Sequence, residues 1–229
     1  MPGPATSMPT LRSLGLETLA FLLAATCAGC GTPETLLCDP CRRELRPSPV
    51  EVRTPRGRTV RAALTYQGVA SRCIRRLKDE GETLLARPLG AALAAAVAES
   101  QRGTDAAAVP VPTSRSAFRR RGYRVPDLLI RRAGLRPLRA LSAASTRRDQ
   151  RGLGVDGRAR NVRGSLRARL RGEGAPVILI DDVVTTGATI DEAARVLERA
   201  GFDVVAAVAL AATPLHSGFP TDSSATRRK

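Results

Sequence analysis

Short apolar runs alternate with longer segments of helical character through the middle of the chain. Five such runs predict strands: residues 60–66, 107–111, 162–166, 177–180 and 204–211. Four segments between or beside them predict helices: residues 69–78, 83–99, 127–133 and 189–200. Continuous apolar strands that alternate with helices are typical of a parallel sheet covered on both faces. The pattern therefore predicts an α/β fold.

Polar and proline-rich segments surround this predicted core. Residues 1–15 are rich in Pro, Gly, Ser and Thr, and residues 214–229 are polar, so both ends are predicted to be disordered. Residues 16–46 are predicted to form a helix and a cysteine-rich module. Three prolines and a glycine suggest that residues 47–58 are a linker. The predicted α/β domain then occupies residues 59–213.

An apolar segment near the start of the chain resembles a signal peptide at first sight. Its uncharged part, residues 18–26, is far shorter than the roughly 20 residues that cross a bilayer. Arg12 is the only charge before it, and Glu17 interrupts it, so we interpret it as an amphipathic helix. No other run approaches transmembrane length. We therefore expect a protein without an integral membrane segment, located in the cytoplasm.

Composition narrows the classes of partner. The 229 residues carry a net charge of +16, almost all of it from arginine, because lysine occurs only at Lys78 and Lys229. Such an excess favours a polyanionic partner, although arginine and alanine are also abundant in the products of GC-rich genomes. The arginines are concentrated in residues 115–124, 131–139 and 147–171. Aromatic residues make up only 3%, which argues against nucleic-acid binding by base stacking.

Four of the five cysteines form two closely spaced CxxC pairs: Cys27, Cys30, Cys38 and Cys41. Four thiolates are the ligand set of a closed tetrahedral zinc site, so we predict a structural Zn²⁺ in a zinc-ribbon-like module. The alternatives are redox-active thiols, which lack a thioredoxin-like context here, and an iron–sulfur cluster, which usually has different spacing. Cys73 stands apart and is predicted to be a small buried hydrophobe.

The apolar run 177–180 leads directly into two acidic residues, Asp181 and Asp182, and then into a short polar loop. The loop consists of Val183, Val184, Thr185, Thr186, Gly187, Ala188 and Thr189. In an α/β sheet, ligands bind beyond the carboxyl ends of the strands, and a helix N-terminus offers free N–H groups to a phosphate. Adjacent carboxylates can accept hydrogen bonds from ribose hydroxyls, directly or through Mg²⁺. The alternative is an ordinary strand–turn–helix with a threonine-rich cap.

This loop resembles the motif with which type I phosphoribosyltransferases bind 5-phosphoribosyl-1-diphosphate (PRPP). The resemblance implies that Asp181 and Asp182 are catalytic, binding the ribose hydroxyls and Mg²⁺, and that residues 183–189 enclose the 5′-phosphate. In those enzymes a nitrogenous base attacks the anomeric carbon as magnesium pyrophosphate leaves, and a basic flexible loop closes over the pyrophosphate. The predicted fold is accordingly a type I phosphoribosyltransferase-like parallel sheet flanked by helices.

Basic side chains are candidates for the pyrophosphate end of such a ligand. Arg119 and Arg121 follow the predicted strand 107–111, and arginine can bind phosphate oxygens in a bidentate manner. Arg148 lies in the glycine- and arginine-rich stretch 143–160, which has no hydrophobic period and fits a mobile cover. For each of these arginines the alternative is a solvated surface in an arginine-rich protein.

Taken together, the motifs make the chain similar to the ComF family from about residue 16 to residue 211. The pieces that carry the resemblance are the four-cysteine module, Tyr66-x-Gly68 running to Ile74 and Lys78, Val109-Pro-Val-Pro, Arg121-Gly122-Tyr123, Arg148-x-Gln150-x-x-Leu153, Arg158-x-x-Asn161-Val162-x-Gly164 and the PRPP loop. The chain departs from the family pattern in having Arg124-Val125 where Asn-Gln is typical. It also has Ser116 and Ala117 where Arg or Lys is typical.

The resemblance leaves three hypotheses for function. The first is a phosphoribosyltransferase that cleaves PRPP with an unknown acceptor. The second is a protein that binds PRPP or a related nucleotide as a ligand without turnover. The third follows from the link of better-understood ComF proteins to natural competence: an accessory protein that contacts single-stranded DNA, or a competence helicase, during DNA uptake.

Overall fold

The computed structural model describes residues 25–101, 103–144 and 162–214. Its centre is a five-stranded sheet. The strands are β1 (Val50–Arg53), β2 (Thr59–Thr65), β3 (Ala107–Pro110), β6 (Pro176–Val184) and β7 (Asp203–Ala212). They lie in the order β1-β2-β7-β6-β3, and every neighbouring pair is parallel except the antiparallel pair β1 and β2. This confirms the predicted α/β fold with a mainly parallel sheet.

Helices and a small hairpin surround the sheet. The helices are α1 (Asp39–Glu44), α2 (Gly68–Arg75), α3 (Ala86–Gln101), α4 (Arg115–Arg121), α5 (Val125–Arg132) and α6 (Ala188–Arg199). A π-helical turn, Arg76–Glu80, continues α2, and a 3₁₀ turn, Thr83–Leu85, precedes α3. The strands β4 (Leu141–Ala143) and β5 (Leu166–Ala168) form a separate antiparallel pair. Helices α1 and α4 and strand β4 were not predicted from the sequence.

The central strand β6 shows why its sequence is a continuous aliphatic run. Successive side chains of a strand point to opposite faces of the sheet. Ile178 and Ile180 pack with α2, α3, α5 and the cysteine module on one face, whereas Val177 and Leu179 pack with α6, β4 and β5 on the other. All four side chains are fully buried. Both faces are thus covered, and β6 has no polar side until it reaches Asp181.

The prediction of a linker over residues 47–58 is wrong. Val50–Arg53 forms β1, which pairs with β2 in the register Val50 to Ala62 and Arg53 to Thr59. An edge strand tolerates nearby prolines, because its outer N–H groups have no ladder partner to lose. Gly57, at φ +79°, makes the turn between the two strands. The proline-rich segment is therefore the edge hairpin of the sheet.

Two further strand boundaries differ from the prediction, and several predicted segments lie outside the described residues. The strand expected at residues 162–166 begins only at Leu166, and the strand expected at 177–180 continues through the acidic pair to Val184. The predicted disordered segment 1–15, nearly all of the helix 16–26, most of the cover 143–160 and the tail from residue 215 lie outside the described residues.

Among the helices of the described residues, none combines the length and the apolar character needed to cross a membrane.

Candidate functional site

The acidic pair Asp181 and Asp182 lies within β6, at the carboxyl edge of the sheet. Strand β3 ends opposite the residue before the pair, whereas β7 remains paired with β6 as far as Val184. Each carboxylate also accepts a hydrogen bond from the next backbone N–H, at 2.8 Å for Asp181 and 2.7 Å for Asp182. The acidic pair therefore lies beyond the end of β3, on a part of β6 that is still hydrogen-bonded to β7.

The two carboxyl groups have different electrostatic surroundings. Lys78 Nζ lies 2.9 Å from Asp182 Oδ1, and the two side chains are only 19% and 17% exposed. Burial, and next the charge of Asp182, raise the pKa of Asp181 from 3.8 to about 7. Near neutral pH, Asp182 is thus neutralised by an ammonium group while Asp181 readily binds a proton. Hydroxyl donors or a divalent cation would favour the ionised form of Asp181.

The loop after the pair leads into the first turn of α6, a helix of 12 residues. Thr185 and Thr186 are exposed, and Gly187 caps the helix in the left-handed conformation at φ +77°. The Thr186 hydroxyl accepts a long hydrogen bond, 3.4 Å, from the Ala188 N–H. Exposed hydroxyls beside a helix N-terminus are groups that can bind phosphate oxygens.

The turn between β1 and β2 packs against this loop and against the first turn of α6. A Cβ on Gly187 would lie 2.5 Å from Thr54 Cγ2, so no larger residue fits there without displacement. The buried Thr54 hydroxyl donates to Asp191 Oδ1 at 2.7 Å, and the Arg56 N–H donates to Asp191 Oδ2 at 3.0 Å. Asp191, in the first turn of α6, is itself buried. The hairpin thereby fixes the position of the helix N-terminus.

The structure separates the three arginines that were candidates for the pyrophosphate end. Arg121 lies 3.6 Å from Asp79, the residue next to Lys78, and its buried Nε has no hydrogen-bond partner among the described residues. Arg119 is exposed on α4 and has no ion pair within the described part of the chain. Arg148 lies outside the described residues. Of the three, Arg121 is the one that contacts the π-helical turn to which Lys78 belongs.

The thiols of Cys27, Cys30, Cys38 and Cys41 converge, with all four sulfurs within 4.8 Å of one another. The Cys38 sulfur lies 3.6 Å from those of Cys27 and Cys30. Zinc–sulfur bonds of about 2.3 Å in a tetrahedron place the sulfurs about 3.8 Å apart. The cluster therefore has the ligand type, number and spacing to hold zinc.

Hydrogen bonds from backbone N–H groups lower the pKa of these thiols, whereas burial raises it. Burial raises the pKa of Cys27, but hydrogen bonds from the backbone of Cys38, Cys30 and Gly29 outweigh it and lower the pKa to about 6. Burial raises the pKa of Cys41, and the neighbouring thiols raise it further. Without a cation, the four thiols cannot all ionise together, because each thiolate repels the next.

The cysteine module packs directly on α2. Gly29 permits this close approach, because a Cβ there would lie 3.0 Å from Val69 Cγ1 of α2, and only 2.5 Å from the Cys41 sulfur within the module. The Arg72 guanidinium donates to the Gly29 carbonyl, and Arg76 Nη1 donates to the Thr26 carbonyl at 3.1 Å. Cys73, on the same helix, is fully buried, which confirms the prediction of a small core residue. Its burial also raises the pKa of its thiol to about 11.

Sequence reasoning missed Lys78 as a site residue, although the composition contained a signal. In a chain whose positive charge is almost all arginine, one of only two lysines pairs with Asp182. Its ammonium group is a compact point charge, unlike the planar guanidinium of arginine. No comparable signal marked Thr54 and Asp191, because they are 137 residues apart and meet only in the folded chain.

Comparison with known proteins gives the following matches. Residues 85–227 match the model of the phosphoribosyl transferase domain family. The chain is 31% identical over 189 residues to a protein of Escherichia coli K12 named "DNA utilization protein YhgH", covering 76% of this chain and 78% of that one. It is 29% identical, with the same coverage, to the protein of that name from Salmonella typhimurium.

Solved structures with a similar arrangement include adenine phosphoribosyltransferase from Saccharomyces cerevisiae. That match has a TM-score of 0.39 and 14% identity, and it covers 76% of this chain and 89% of the yeast chain. Orotate phosphoribosyltransferase from Aeropyrum pernix matches with a TM-score of 0.33 and 18% identity, covering 75% and 78% of the two chains.

Proposed function

The chain belongs to the phosphoribosyl transferase domain family and is of the ComF type, and from this premise we propose that it binds PRPP with Mg²⁺ at the β6–α6 loop. In this proposal the ligand is PRPP or a related ribose phosphate. The observation that carries the proposal is the acidic pair at the carboxyl edge, which runs directly into the glycine-capped N-terminus of α6.

Each part of the proposed ligand has a matching group in the loop. The ribose 2′- and 3′-hydroxyls donate to Asp181 and Asp182, and the 5′-phosphate accepts hydrogen bonds from the hydroxyls and N–H groups of residues 185–189. Bound Mg²⁺ would neutralise charge on the diphosphate as it leaves. Asp181 and Asp182 are the residues that would hold it, since carboxylates are typical Mg²⁺ ligands. The ion pair with Lys78, at 2.9 Å, holds the Asp182 side chain in position.

The reaction that fits this arrangement is transfer of the phosphoribosyl group. A nucleophile of unknown identity forms a bond to the anomeric carbon while the bond from that carbon to the diphosphate oxygen breaks. The protein contributes by stabilising negative charge on the leaving diphosphate. Arg121, with its buried and unpartnered Nε, is the proposed ligand of the diphosphate among the described residues. Arg119 and Arg148 remain proposed contributors to the same charge.

Calorimetry tests binding and a product assay tests turnover. Wild-type protein should bind PRPP with Mg²⁺, and Asp182→Asn should abolish the Mg²⁺-dependent part of the affinity. Incubation with PRPP, Mg²⁺ and a panel of purine and pyrimidine bases should release pyrophosphate with one of them. Binding without release would support the ligand-binding hypothesis instead. Absence of any Mg²⁺-dependent PRPP binding by the wild-type chain would contradict both.

A second candidate function is supported by a relative and by charge. Proteins named for DNA utilization are 29–31% identical to this chain, and its net charge is +16. We infer a second role, as an accessory protein that contacts single-stranded DNA, or a helicase partner, during DNA uptake. Binding through phosphate contacts should weaken steeply as salt rises. Salt-insensitive or undetectable binding of a single-stranded oligonucleotide would count against this role.

We further propose that the four-cysteine cluster holds a structural Zn²⁺ and that the protein acts in the cytoplasm. Four convergent thiolates suit zinc, and a reducing compartment keeps them available as ligands. Purified protein should contain about one zinc per chain by elemental analysis. Iron in place of zinc, or a disulfide within the cluster, would contradict the assignment.

A further inference from the structure

A tyrosine outside the acidic pair contacts the turn that carries Lys78. Tyr123 lies in the connection between α4 and α5, just before α5 begins at Val125. Its hydroxyl donates a hydrogen bond to the carbonyl of Leu77, 46 residues earlier in the chain. That carbonyl belongs to the same planar peptide unit as the backbone nitrogen of Lys78. The hydrogen bond therefore acts directly on the backbone of the residue that pairs with Asp182.

The Leu77 carbonyl is one of the acceptors left over where a helix ends. In a continuing α-helix it would accept from the N–H of Gly81, and in a continuing π-helix from the N–H of Glu82. Both of these N–H groups donate instead to the Arg76 carbonyl, the Glu82 N–H at 3.3 Å. Gly81 leaves the helix in the left-handed conformation, at φ +77°. The Tyr123 hydroxyl thus supplies a donor that these two backbone groups do not.

The tyrosine is itself held in place at its other end. The residue before it, Gly122, caps α4 in the left-handed conformation, and its N–H donates to the Phe118 carbonyl at 2.8 Å. The Tyr123 ring packs against the core that lies between the sheet and helices α2, α3 and α5. Burial raises the pKa of Tyr123 above its ordinary value of 10, so the hydroxyl stays protonated and can donate at neutral pH. The side chain therefore links the α4–α5 connection to the π-helical turn.

The same connection makes a second, weaker contact with this turn. Arg121 Nη2 lies 3.6 Å from Asp79 Oδ1, and the Asp79 side chain is 57% exposed. An exposed ion pair of this length contributes little to the position of either residue. Lys78 carries its ammonium group on a flexible four-carbon stem, so the direction of that stem depends on how its backbone is held. Of the two contacts, the hydrogen bond from Tyr123 is the one that fixes this backbone.

We propose that Tyr123 is a positioning residue, which holds the Leu77 carbonyl and thereby keeps Lys78 against Asp182 when PRPP and Mg²⁺ bind. This role rests on the proposed function, because Asp182 is there a ligand of the ribose and of the metal. Tyr123 acts through Lys78 and needs no contact with the ligand. If the tyrosine served only to fill the core, phenylalanine would replace it without consequence for Lys78.

Chemical labelling of Lys78 tests the proposal without any ligand. The chain has only two lysines, so mass spectrometry can measure acetylation of Lys78 against that of Lys229 in the same sample. Tyr123→Phe removes the hydroxyl and keeps the ring. The control Tyr66→Phe removes the only other tyrosine hydroxyl, which makes no hydrogen bond within the described residues. Relative acetylation of Lys78 should rise about fivefold in Tyr123→Phe, the factor that corresponds to about 1 kcal/mol for one lost hydrogen bond. In the control it should not change.

A double-mutant cycle then tests whether the effect on ligand binding passes through Lys78. Tyr123→Phe should weaken the affinity for PRPP with Mg²⁺ about fivefold by calorimetry, and it should have no further effect when Lys78→Met is already present. Because the Lys78 charge lowers the pKa of Asp181, against the neighbouring charge of Asp182, the loss should also be larger at pH 6 than at pH 8.5. A tyrosine that only stabilised the fold would produce neither the non-additivity nor the pH dependence.

The two measurements fail separately. Unchanged acetylation of Lys78 in Tyr123→Phe, an equal change in Tyr66→Phe, or additive losses of PRPP affinity would each overturn the positioning role. If wild type does not bind PRPP with Mg²⁺, the proposed function fails, and the labelling alone decides whether Tyr123 positions Lys78. Circular dichroism spectra equal to that of wild type show that both variants are folded.

Discussion

The β6–α6 loop (residues 183–189) and the cysteine cluster both contain a glycine at a point of close packing, but different interactions hold them in place. The loop follows a strand buried on both faces, and hydrogen bonds to Asp191 fix the helix it leads into. The cluster depends on hydrogen bonds to sulfur of about 3.4–3.6 Å and on thiols that repel one another once ionised. Packing and hydrogen bonds within the protein thus fix the loop, whereas the ionised thiols of the cluster would be stabilised by the cation that we propose.

The two regions are also connected, through α2 and the turn that follows it. Arg72 and Arg76 donate to backbone carbonyls of the cysteine module, and Lys78, two residues further on, contacts Asp182. Disorder in the module should therefore reach the acidic pair through Lys78. Changes in the loop should leave the module intact, because the four sulfurs depend on no atom of the loop. The comparison predicts that substitutions in the module affect the loop more than substitutions in the loop affect the module, while ligand binding at the two regions stays reciprocally coupled.

The largest effect is expected from removing one of the proposed zinc ligands. Cys41→Ser takes one of four thiols from the cluster, and structural zinc sites contribute on the order of 10 kcal/mol of apparent binding free energy. We expect loss of bound zinc, a clearly lower Tm and a severalfold weaker affinity for PRPP with Mg²⁺. Elemental analysis, thermal unfolding and calorimetry measure the three quantities.

The buried thiol outside the cluster provides the control. Cys73→Ala removes a cysteine from α2 itself but no ligand, so zinc content should stay at the wild-type value. If Cys41→Ser kept its zinc, the assignment of the metal to the cluster would be wrong. If it lost zinc with no change in PRPP affinity, the connection through α2 would be wrong.

The next effect concerns Gly187. Alanine there must adopt φ +77°, which costs roughly 1–2 kcal/mol, and its Cβ must displace Thr54, which costs roughly 1–3 kcal/mol more. We expect Gly187→Ala to lower Tm by roughly 2–4 °C for each kcal/mol lost and to weaken phosphate binding, with zinc content unchanged. Thermal unfolding and elemental analysis test this.

Two further variants separate the two costs. Gly174→Ala has the same type of strain, at φ +81°, but meets no atom within 4 Å, so it should lose only the conformational part. Thr54→Ser removes the methyl group that Gly187→Ala would strike and keeps the hydroxyl that donates to Asp191. The double variant Thr54→Ser/Gly187→Ala should therefore recover part of the lost stability. Equal losses for Gly174→Ala and Gly187→Ala would show that the close approach is unimportant.

The ease of predicting each region from the sequence differs for physical reasons. The strand 177–180 was visible because burial on both faces makes it wholly aliphatic, and the cysteines were visible because metal ligands recur at fixed spacing. Strand β1 was missed because edge position, which the local sequence does not record, makes its prolines tolerable. The brace of Thr54 on Asp191 and the contact of Lys78 with Asp182 depend on long-range packing, which no local pattern records.

A smaller effect is expected at Lys78. Lys78→Met removes the positive charge beside Asp182 and keeps the length of the side chain. Because that charge lowers the pKa of Asp181, the Asp181 carboxyl should bind a proton more readily in the variant, and the affinity for PRPP with Mg²⁺ at pH 7 should fall. Lys78→Arg keeps the charge in a different shape and should lose less. Calorimetry at several pH values measures both variants. An affinity loss for Lys78→Met that is identical at pH 6 and pH 8.5 would argue against an electrostatic role.

The last effect appears only in the pH dependence of stability, and it is the contribution of Asp181 in the absence of ligand. Its pKa is raised to about 7 in the folded chain, mainly by burial, whereas its ordinary value is 3.8. Between these values the folded chain holds a proton that the unfolded chain has released, so this group makes stability fall as pH rises from about 4 to about 7. Asp181→Asn removes the contribution. The Tm of this variant should therefore exceed the Tm of wild type. The difference should grow from pH 4 to pH 7 and stay constant above pH 7.

Asp182→Asn distinguishes this effect from a general loss of negative charge. It removes the partner of Lys78, and it also removes the second cause of the raised pKa of Asp181, so the Asp181 carboxyl should ionise at lower pH in this variant. The pH dependence of Tm should then shift to lower pH. If Asp181→Asn were instead destabilising throughout pH 4–8, the buried carboxyl would be part of the folded framework, and the loop would resemble the cysteine cluster in needing its charged groups.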